Sequence, residues 1–243
     1  MLEQDPTRWR RGDTLPRGWH FGLFAPAPPQ SSLRKDGYAG PGIALPDAGL
    51  PRLMLGGCRL RFSGDIPIGA ALRRRTRLLS AAPKEGRSGR MVVATVGHTV
   101  LLDGAPVLAE EQDFILMEAG PPPTAPLPGS PTPGGTAFIA DERLLLRFCA
   151  LTFNTHRIHY DFPFAKDVEG HEALVVNGSL TGLMLTELFR NQAGREPVSV
   201  ASRNLRPLFC GRTNRLHAQS GAEAWRVWAE DDAGRLAVEA EIR

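Results

Sequence analysis

Residues 119–135, Ala-Gly-Pro-Pro-Pro-Thr-Ala-Pro-Leu-Pro-Gly-Ser-Pro-Thr-Pro-Gly-Gly, hold seven of the chain's 21 prolines and no charged side chain. Proline has no backbone N–H and a fixed φ, so a run this dense supports neither a helix nor a sheet ladder and favours extended polyproline geometry. The stretch therefore divides the 243 residues into segments 1–118 and 136–243, each near the ~100–150 residues of a common domain. The chain is expected to fold as two halves joined by a semi-rigid linker.

The halves rhyme. Upstream of the linker, apolar runs at 72–82, 91–102 and 106–117 are separated by the turn sequences Lys84-Glu-Gly-Arg-Ser-Gly89 and Asp103-Gly104, which reads as an antiparallel meander. Downstream, runs at 198–208, 213–219, 222–230 and 235–242 repeat the pattern, with turns at Ser220-Gly221 and Asp232-Ala-Gly234. Leu236-Ala-Val-Glu-Ala-Glu-Ile242 echoes Pro106-Val-Leu-Ala-Glu-Glu-Gln112, which points to an internal duplication over a chance likeness of two meanders.

Only the second half carries a strong helix. In residues 179–191, Leu180, Leu183, Met184 and Leu188 fall on one face at 3.6-residue periodicity, and Gly194 supplies a stop. A helix followed by an antiparallel sheet that curls around its apolar stripe is a hot-dog arrangement. In the first half, Leu50-Pro-Arg-Leu-Met-Leu-Gly-Gly57 is the one short helix candidate, with Pro51 suited to a first turn. Proline and glycine crowd residues 25–49, and this half reads as scaffold and ligand wall.

With 42% hydrophobic residues the chain can build a core without staples. Cys58, Cys149 and Cys210 are odd in number and lie in no CxxC spacing, so neither a disulfide framework nor a zinc site is expected, and a reducing cytoplasm fits. The N-terminus has no apolar core of a signal peptide and no run of ~18 apolar residues occurs, so neither secretion nor membrane spanning is expected. A net charge of +3 is weakly basic. Its arginines are dispersed, apart from Arg73-Arg-Arg-Thr-Arg77 and the loop at 84–90, which argues against nucleic acid and suits a small phosphorylated ligand. The 73–77 run reads as a solvated strand edge in preference to a phosphate site.

Chemistry concentrates elsewhere. Asn154, His156, Arg157, His159, Tyr160 and Asp161 crowd eight residues of a chain with six histidines and two tyrosines. His159 could take a proton from a water that Asn154 positions, as general base catalysis requires; equally, Asn154 could close an Asx turn and His159 satisfy a loop. Further on, Leu174-Val-Val-Asn-Gly178 runs into the long helix, which puts the Gly178 amide at a helix N-terminus where a developing oxyanion could bind. Asn177 or Ser179 as an ordinary N-cap is compatible with that.

Phe153-Asn-Thr-His-Arg-Ile-His-Tyr-Asp161, followed by Val175-Val-Asn-Gly-Ser-Leu180, resembles the signature of the MaoC-like (R)-hydratases. That motif runs Asp-x-Asn-Pro-Ile-His-x-Asp and ends in His-Gly before the hot-dog helix. The chain is most similar to the branch holding hydroxyacyl-thioester dehydratase type 2, mesaconyl-C4-CoA hydratase and itaconyl-CoA hydratase. Leu15-Pro-x-x-Trp-His20, Asp36-Gly37, Leu50-Pro-Arg52, Gly86-Arg-Ser-Gly89 and Glu110-Glu-Gln-Asp113 resemble landmarks of that branch, so the likeness covers most of the chain. It implies an α+β double hot-dog: two antiparallel sheets, each wrapped on a central helix, with a degenerate N-terminal half. Carried over by position, the family's histidine falls on His159, its oxyanion glycine on Gly178 and its catalytic aspartate on Asn154. That last position is a departure, because an amide cannot take a proton, and Asn177 likewise replaces the usual histidine.

The resemblance implies a hydro-lyase that hydrates an α,β-unsaturated acyl-CoA, a short dicarboxylyl thioester such as mesaconyl- or itaconyl-CoA, with His159, Asn154 and Gly178 catalytic. Arg157, Tyr160 and Asn177 are candidate substrate contacts: Arg157 either grips a second carboxylate or closes a loop ion pair, and Tyr160 either binds or packs. No cofactor is expected beyond the CoA of the substrate, and no metal. Expected partners are acyl-CoA, an acyl carrier protein bearing the same thioester, and a second copy of the chain. Rival readings are a 3-hydroxyacyl-thioester dehydratase of fatty-acid type, which would need a longer apolar tunnel through the first half, and a non-catalytic acyl-CoA-binding module. A thioesterase would want a carboxylate near the helix, and residues 177–186 contain none.

Overall fold

The computed structural model describes residues 2, 4–86, 89–118 and 129–243. Residues 119–128 of the expected linker, and Arg87 and Ser88 of the 84–90 loop, lie outside the described residues. The linker's last part is anchored: the Thr132 amide donates to the Glu230 carboxylate at 3.0 Å.

All strands of the described residues join one antiparallel sheet. The first half supplies β1 (Arg52–Phe62), β2 (Leu72–Gly86), β3 (Gly89–Leu102) and β4 (Ala105–Met117). The second supplies β5 (Thr136–Ile139), β6 (Ser199–Asn204), β7 (Thr213–Gln219), β8 (Trp225–Glu230) and β9 (Leu236–Ile242). The order across the sheet is β2-β3-β4-β1-β6-β9-β8-β7-β5. Read outward from the seam between β1 and β6, each half runs through one strand and then the last, middle and first strands of a meander, and the second half adds β5 at its outer edge. The echoing segments 106–112 and 236–242 lie on β4 and β9, which are equivalent in that order. The two halves are thus fused edge to edge into a single sheet, in register Cys58 to Ser202 and Leu60 to Val200.

What covers the sheet differs between the halves. In the second, α2 (Gly178–Ala193) packs against β7, β8 and β9. Leu180, Leu183, Leu185 and Phe189 are buried among Leu216, Val227, Ala229, Val238 and Ile242. Burial of each large side chain contributes about 1.5–3 kcal/mol, which outweighs the cost of Gly182 and the threonines within the helix. Gly194, at φ +66°, ends the helix where the sequence places its stop. In the first half the described residues hold no central helix, and that is how its degeneracy is realised. Tyr38, Ile43, Leu45 and Leu50, from an irregular Pro/Gly-rich segment, pack instead on Leu53, Ala94, Val96, Phe114 and Leu116.

The helix candidate at 50–57 is a strand. Leu, Met and Arg are helix formers, but the chain pairs with β4 from Arg52 onward, with β6 joining the other edge at Gly57, and this ladder overrides so weak a local preference. A second helix, α1 (Glu142–Thr152), follows β5 and is capped by the Asp141 side chain, which accepts from the Leu144 amide at 2.8 Å. No helix of the described residues is long and apolar enough to cross a membrane.

Candidate active site

The site begins where α1 stops. Phe153 adopts φ +49°, turning the chain out of the helix, and the Asn154 amide donates back to the Cys149 carbonyl at 2.9 Å. Asn154 Oδ1 then accepts from the His156 amide at 3.0 Å, the Asx turn that Asn favours. Positioning and turn-closing are therefore not alternatives: the turn fixes Asn154 at the head of the loop and leaves its amide NH2 to donate.

The first half holds this loop from outside. The Asp36 carbonyl accepts from the Arg157 amide at 2.8 Å and the Gly37 carbonyl from Thr155 Oγ1 at 2.5 Å. Gly37 sits at φ +82°, and a Cβ there would lie 2.3 Å from the Thr155 carbonyl oxygen. Only glycine permits so close an approach.

His159 is fixed on the second side. Its Nδ1 lies 2.7 Å from the Val175 carbonyl, while the Val175 amide donates to the Ile158 carbonyl at 2.9 Å. A carbonyl only accepts, so the ring proton is assigned to Nδ1 and the Nε2 lone pair is left without a protein partner among the described residues. Burial, reinforced by the nearby His156, lowers the His159 pKa to about 3. His156 packs edge-on against it, with ring centroids 5.5 Å apart, and is itself lowered to about 4 by burial and then by Arg34. His171 is also lowered to about 4, by burial and then by Arg52. The Arg52 guanidinium, 2.8 Å from the Glu169 carboxylate, lies 3.3 Å from His171 Nε2, and a guanidinium can only donate.

Two residues beyond Val175, Asn177 occupies the N-cap position of α2 without capping it. Its Nδ2 instead lies 3.6 Å from Cys149 Sγ, and its Oδ1 is buried without a partner among the described residues. The first amides of α2 thus have no side-chain cap, and the first turn contains no acid to compete with an incoming anion. Gly178 leads the helix, and a Cβ on it would meet Asn204 Nδ2 at 2.9 Å. A narrow cavity borders this turn, lined by Gly178 and Ser179 from the helix and by Cys58, Gln112, Ser202 and Asn204 from the sheet.

The His159–Val175 bond thus ties the loop headed by Asn154 to the segment that runs into Asn177 and Gly178, while the cavity itself is lined by Gly178 and not by His159, Asn154 or Asn177. Arg157 and Tyr160 bond within the loop. The Arg157 guanidinium contacts the Asp161 carboxylate at 2.8 Å and lies 4.1 Å from the Phe164 ring centroid. Tyr160, half exposed, donates its hydroxyl to the Thr155 carbonyl at 3.1 Å. Of the two readings open for Arg157, the ion pair is the one the structure shows. Sequence reasoning missed His171 and Arg52, which lie far apart along the chain and match no motif spacing. The one available signal was that Leu50-Pro-Arg52 stood among the family landmarks.

The model described as hydroxyacyl-thioester dehydratase type 2 matches residues 18–210. Mesaconyl-C(4)-CoA hydratase of Chloroflexus aurantiacus is 38% identical over 232 residues, covering 94% of this chain and 83% of that protein. The crystal structure of HtdX from Mycobacterium tuberculosis superposes with a TM-score of 0.70 at 18% identity, over 98% of this chain and 91% of that one. A second M. tuberculosis protein, described as a double hotdog fold, gives a TM-score of 0.60 at 18% identity, over 96% and 82% of the two chains. Both structures speak to the fold alone.

Proposed function

The chain belongs to the hydroxyacyl-thioester dehydratase type 2 family, acyl-thioester hydro-lyases, and we propose that it reversibly hydrates a short α,β-unsaturated acyl-CoA of the dicarboxylyl kind. The observation that carries the chemistry is the His159 Nδ1 bond to the Val175 carbonyl, because it leaves Nε2 as a bare base beside an uncapped helix terminus. Water, held by the Asn154 amide, gives a proton to Nε2 as its oxygen bonds to the β-carbon. The electron pair of the double bond moves toward the thioester oxygen, where the Gly178 N–H stabilises the enolate. The proton on Nε2 then passes to the α-carbon, so that the elements of water are added and nothing is oxidised or reduced. Reversal of these steps is dehydration.

Burial that keeps Nε2 unprotonated also makes it a weak base in the unliganded protein. The negative charge that builds on the enolate lies close by and raises its proton affinity as the reaction proceeds. With Asn at 154 that position offers no proton carrier, so His159 is assigned both transfers.

A short acyl group is favoured by the packing of the first half. The space a long apolar chain would need is filled by Tyr38, Ile43, Leu45 and Leu50 against the sheet. In this proposal residues 136–243 carry the chemistry and 1–118 form the wall, the reaction needs no cofactor beyond the CoA of its substrate, and the compartment is the cytoplasm, consistent with three free thiols. An acyl carrier protein could deliver the same thioester, and assay with both carriers separates the two.

The test is a panel of crotonyl-, mesaconyl- and itaconyl-CoA, followed by loss of enoyl absorbance, with wild type and His159→Ala side by side. Turnover of a dicarboxylyl thioester that falls about 10²–10⁴-fold in the variant is expected. Near-native turnover by His159→Ala would remove it from the mechanism, and activity confined to long acyl chains would overturn the substrate reading.

A further inference from the structure

One row of side chains crosses the seam between the halves. Ser202 on β6 pairs with Cys58 on β1, which pairs with Gln112 on β4, so the three project from the same face in adjacent strands. All three line the cavity at the first turn of α2, together with Ser179 and Asn204. Each is held, and the two amides are not exhausted. Gln112 Nε2 donates to Glu110 Oε1 at 2.7 Å, Ser202 Oγ to the Cys58 carbonyl at 3.2 Å and Asn204 Nδ2 to the Leu55 carbonyl at 2.9 Å. An amide NH2 has two hydrogens, so Gln112 and Asn204 retain one each for a ligand.

Behind Gln112 stands a buried carboxylate. Burial alone would raise the Glu110 pKa, but His20, His98 and Gln112 hold it down at about 2, and His20 Nε2 lies 3.5 Å from its Oε2. Glu110 does not itself line the cavity. It accepts one Nε2 hydrogen and so fixes the Gln112 amide, whose second N–H is left for the cavity that Gln112 lines.

Resting on the hydratase reading above, we propose that Gln112, with Asn204 beside it, determines specificity by hydrogen bonding a carboxylate on the acyl group of the substrate. A purely apolar acyl group in this cavity would strip water from Gln112, Ser202 and Asn204 and return no partner, and sites built to hydrogen-bond discriminate strongly against analogues that cannot. The uncapped positive end of α2 adds to the preference for an anion. Leu60 and Phe21 also line the cavity, which suits a compact acyl group.

The matched probes are mesaconyl-C4-CoA and 3-methylcrotonyl-CoA, which differ by a carboxylate in place of a methyl on the β-carbon. Wild type is expected to favour the first by about 10²-fold or more in kcat/KM. Gln112→Leu should cut that ratio at least tenfold, chiefly through KM for mesaconyl-C4-CoA, and Asn204→Ala a few-fold. Asn204→Ala decides the matter alone if Gln112→Leu fails to fold. A wild type that hydrates both probes equally, or variants that leave the ratio within twofold, overturn the specificity assignment while the hydratase reading stands. Failure of wild type to hydrate any unsaturated thioester brings down both.

Discussion

The two halves share one strand order about the β1/β6 seam and differ in what lies on the sheet. The second is covered by α2, whose leucines and Phe189 make an apolar core and whose N-terminus faces the chemistry. The first is covered by an irregular segment, and its sheet carries His98, Glu110 and Gln112. Loss of the central helix frees a sheet face from its packing duty, and the first half has used that face for polar groups and for the loop at 36–37 that braces the catalytic one. A duplicated fold has thus divided its labour: one copy keeps the helix dipole, the other supplies walls.

Acid loads the second half more heavily, with three histidines of lowered pKa against one, His98, in the first. His156, His159 and His171, all in the second half, have pKa values lowered from 6.5 to about 4, 3 and 4. Above pH 6.5 they are neutral both folded and unfolded, and no stability is lost. Below it the unfolded chain binds protons that the folded one refuses, so stability falls as pH drops toward 4, by about 1.4 kcal/mol per pH unit for each proton. Glu110, in the first half, is lowered from 4.5 to about 2, and its contribution is lost only below pH 4.5. Chemical denaturation followed between pH 7 and 4 should show proton uptake on unfolding already near pH 6. A flat stability profile down to pH 5 would mean that the histidines are not buried neutral.

Gly178→Ala tests the helix side of the comparison. Its Cβ would have to displace the Asn204 amide, which is tied to the Leu55 carbonyl, and the shift moves the amide proposed as oxyanion donor. A loss of about 10²–10³ in kcat is expected, with little change in melting temperature. A variant of native activity would show that another amide of the first turn serves as the oxyanion donor.

Gly37→Ala tests the wall side and should have the smallest effect of the three. At φ +82° and 2.3 Å from the Thr155 carbonyl oxygen, the added methyl must push the brace away from the loop, at a cost of about 1–3 kcal/mol. Activity should fall roughly tenfold, on the scale that misplacement of catalytic groups by fractions of an ångström produces. If kcat is unchanged while stability drops, the first half supports the fold without positioning the catalytic loop.

Much of this was legible in sequence because period and turn chemistry are local. The meander strands follow alternation bounded by Asp103-Gly104, Ser220-Gly221 and Asp232-Ala-Gly234, and α2 follows its leucine spacing and Gly194. Segment 52–62 was not, because Leu, Met, Arg and Gly do not favour a strand by themselves; partners on both edges make it one. In the site, the residue types at 154, 159, 177 and 178 stand in a readable motif. Their consequences are not readable there: the proton on Nδ1 of His159 is assigned by a carbonyl 16 residues away, and the absence of a cap on α2 depends on Asn177 turning to Cys149.

Sequence alone therefore determined the meander strands of each half and the helix α2, since each depends on residues within a few positions of one another, but not β1, β5 or α1. Tertiary structure decided that the halves fuse through β1 and β6, that the first half is closed by an irregular segment, and that Ser202, Cys58 and Gln112 meet in one row beside the helix terminus. Those outcomes depend on pairing and burial between segments distant along the chain, for which no local pattern carries a signal.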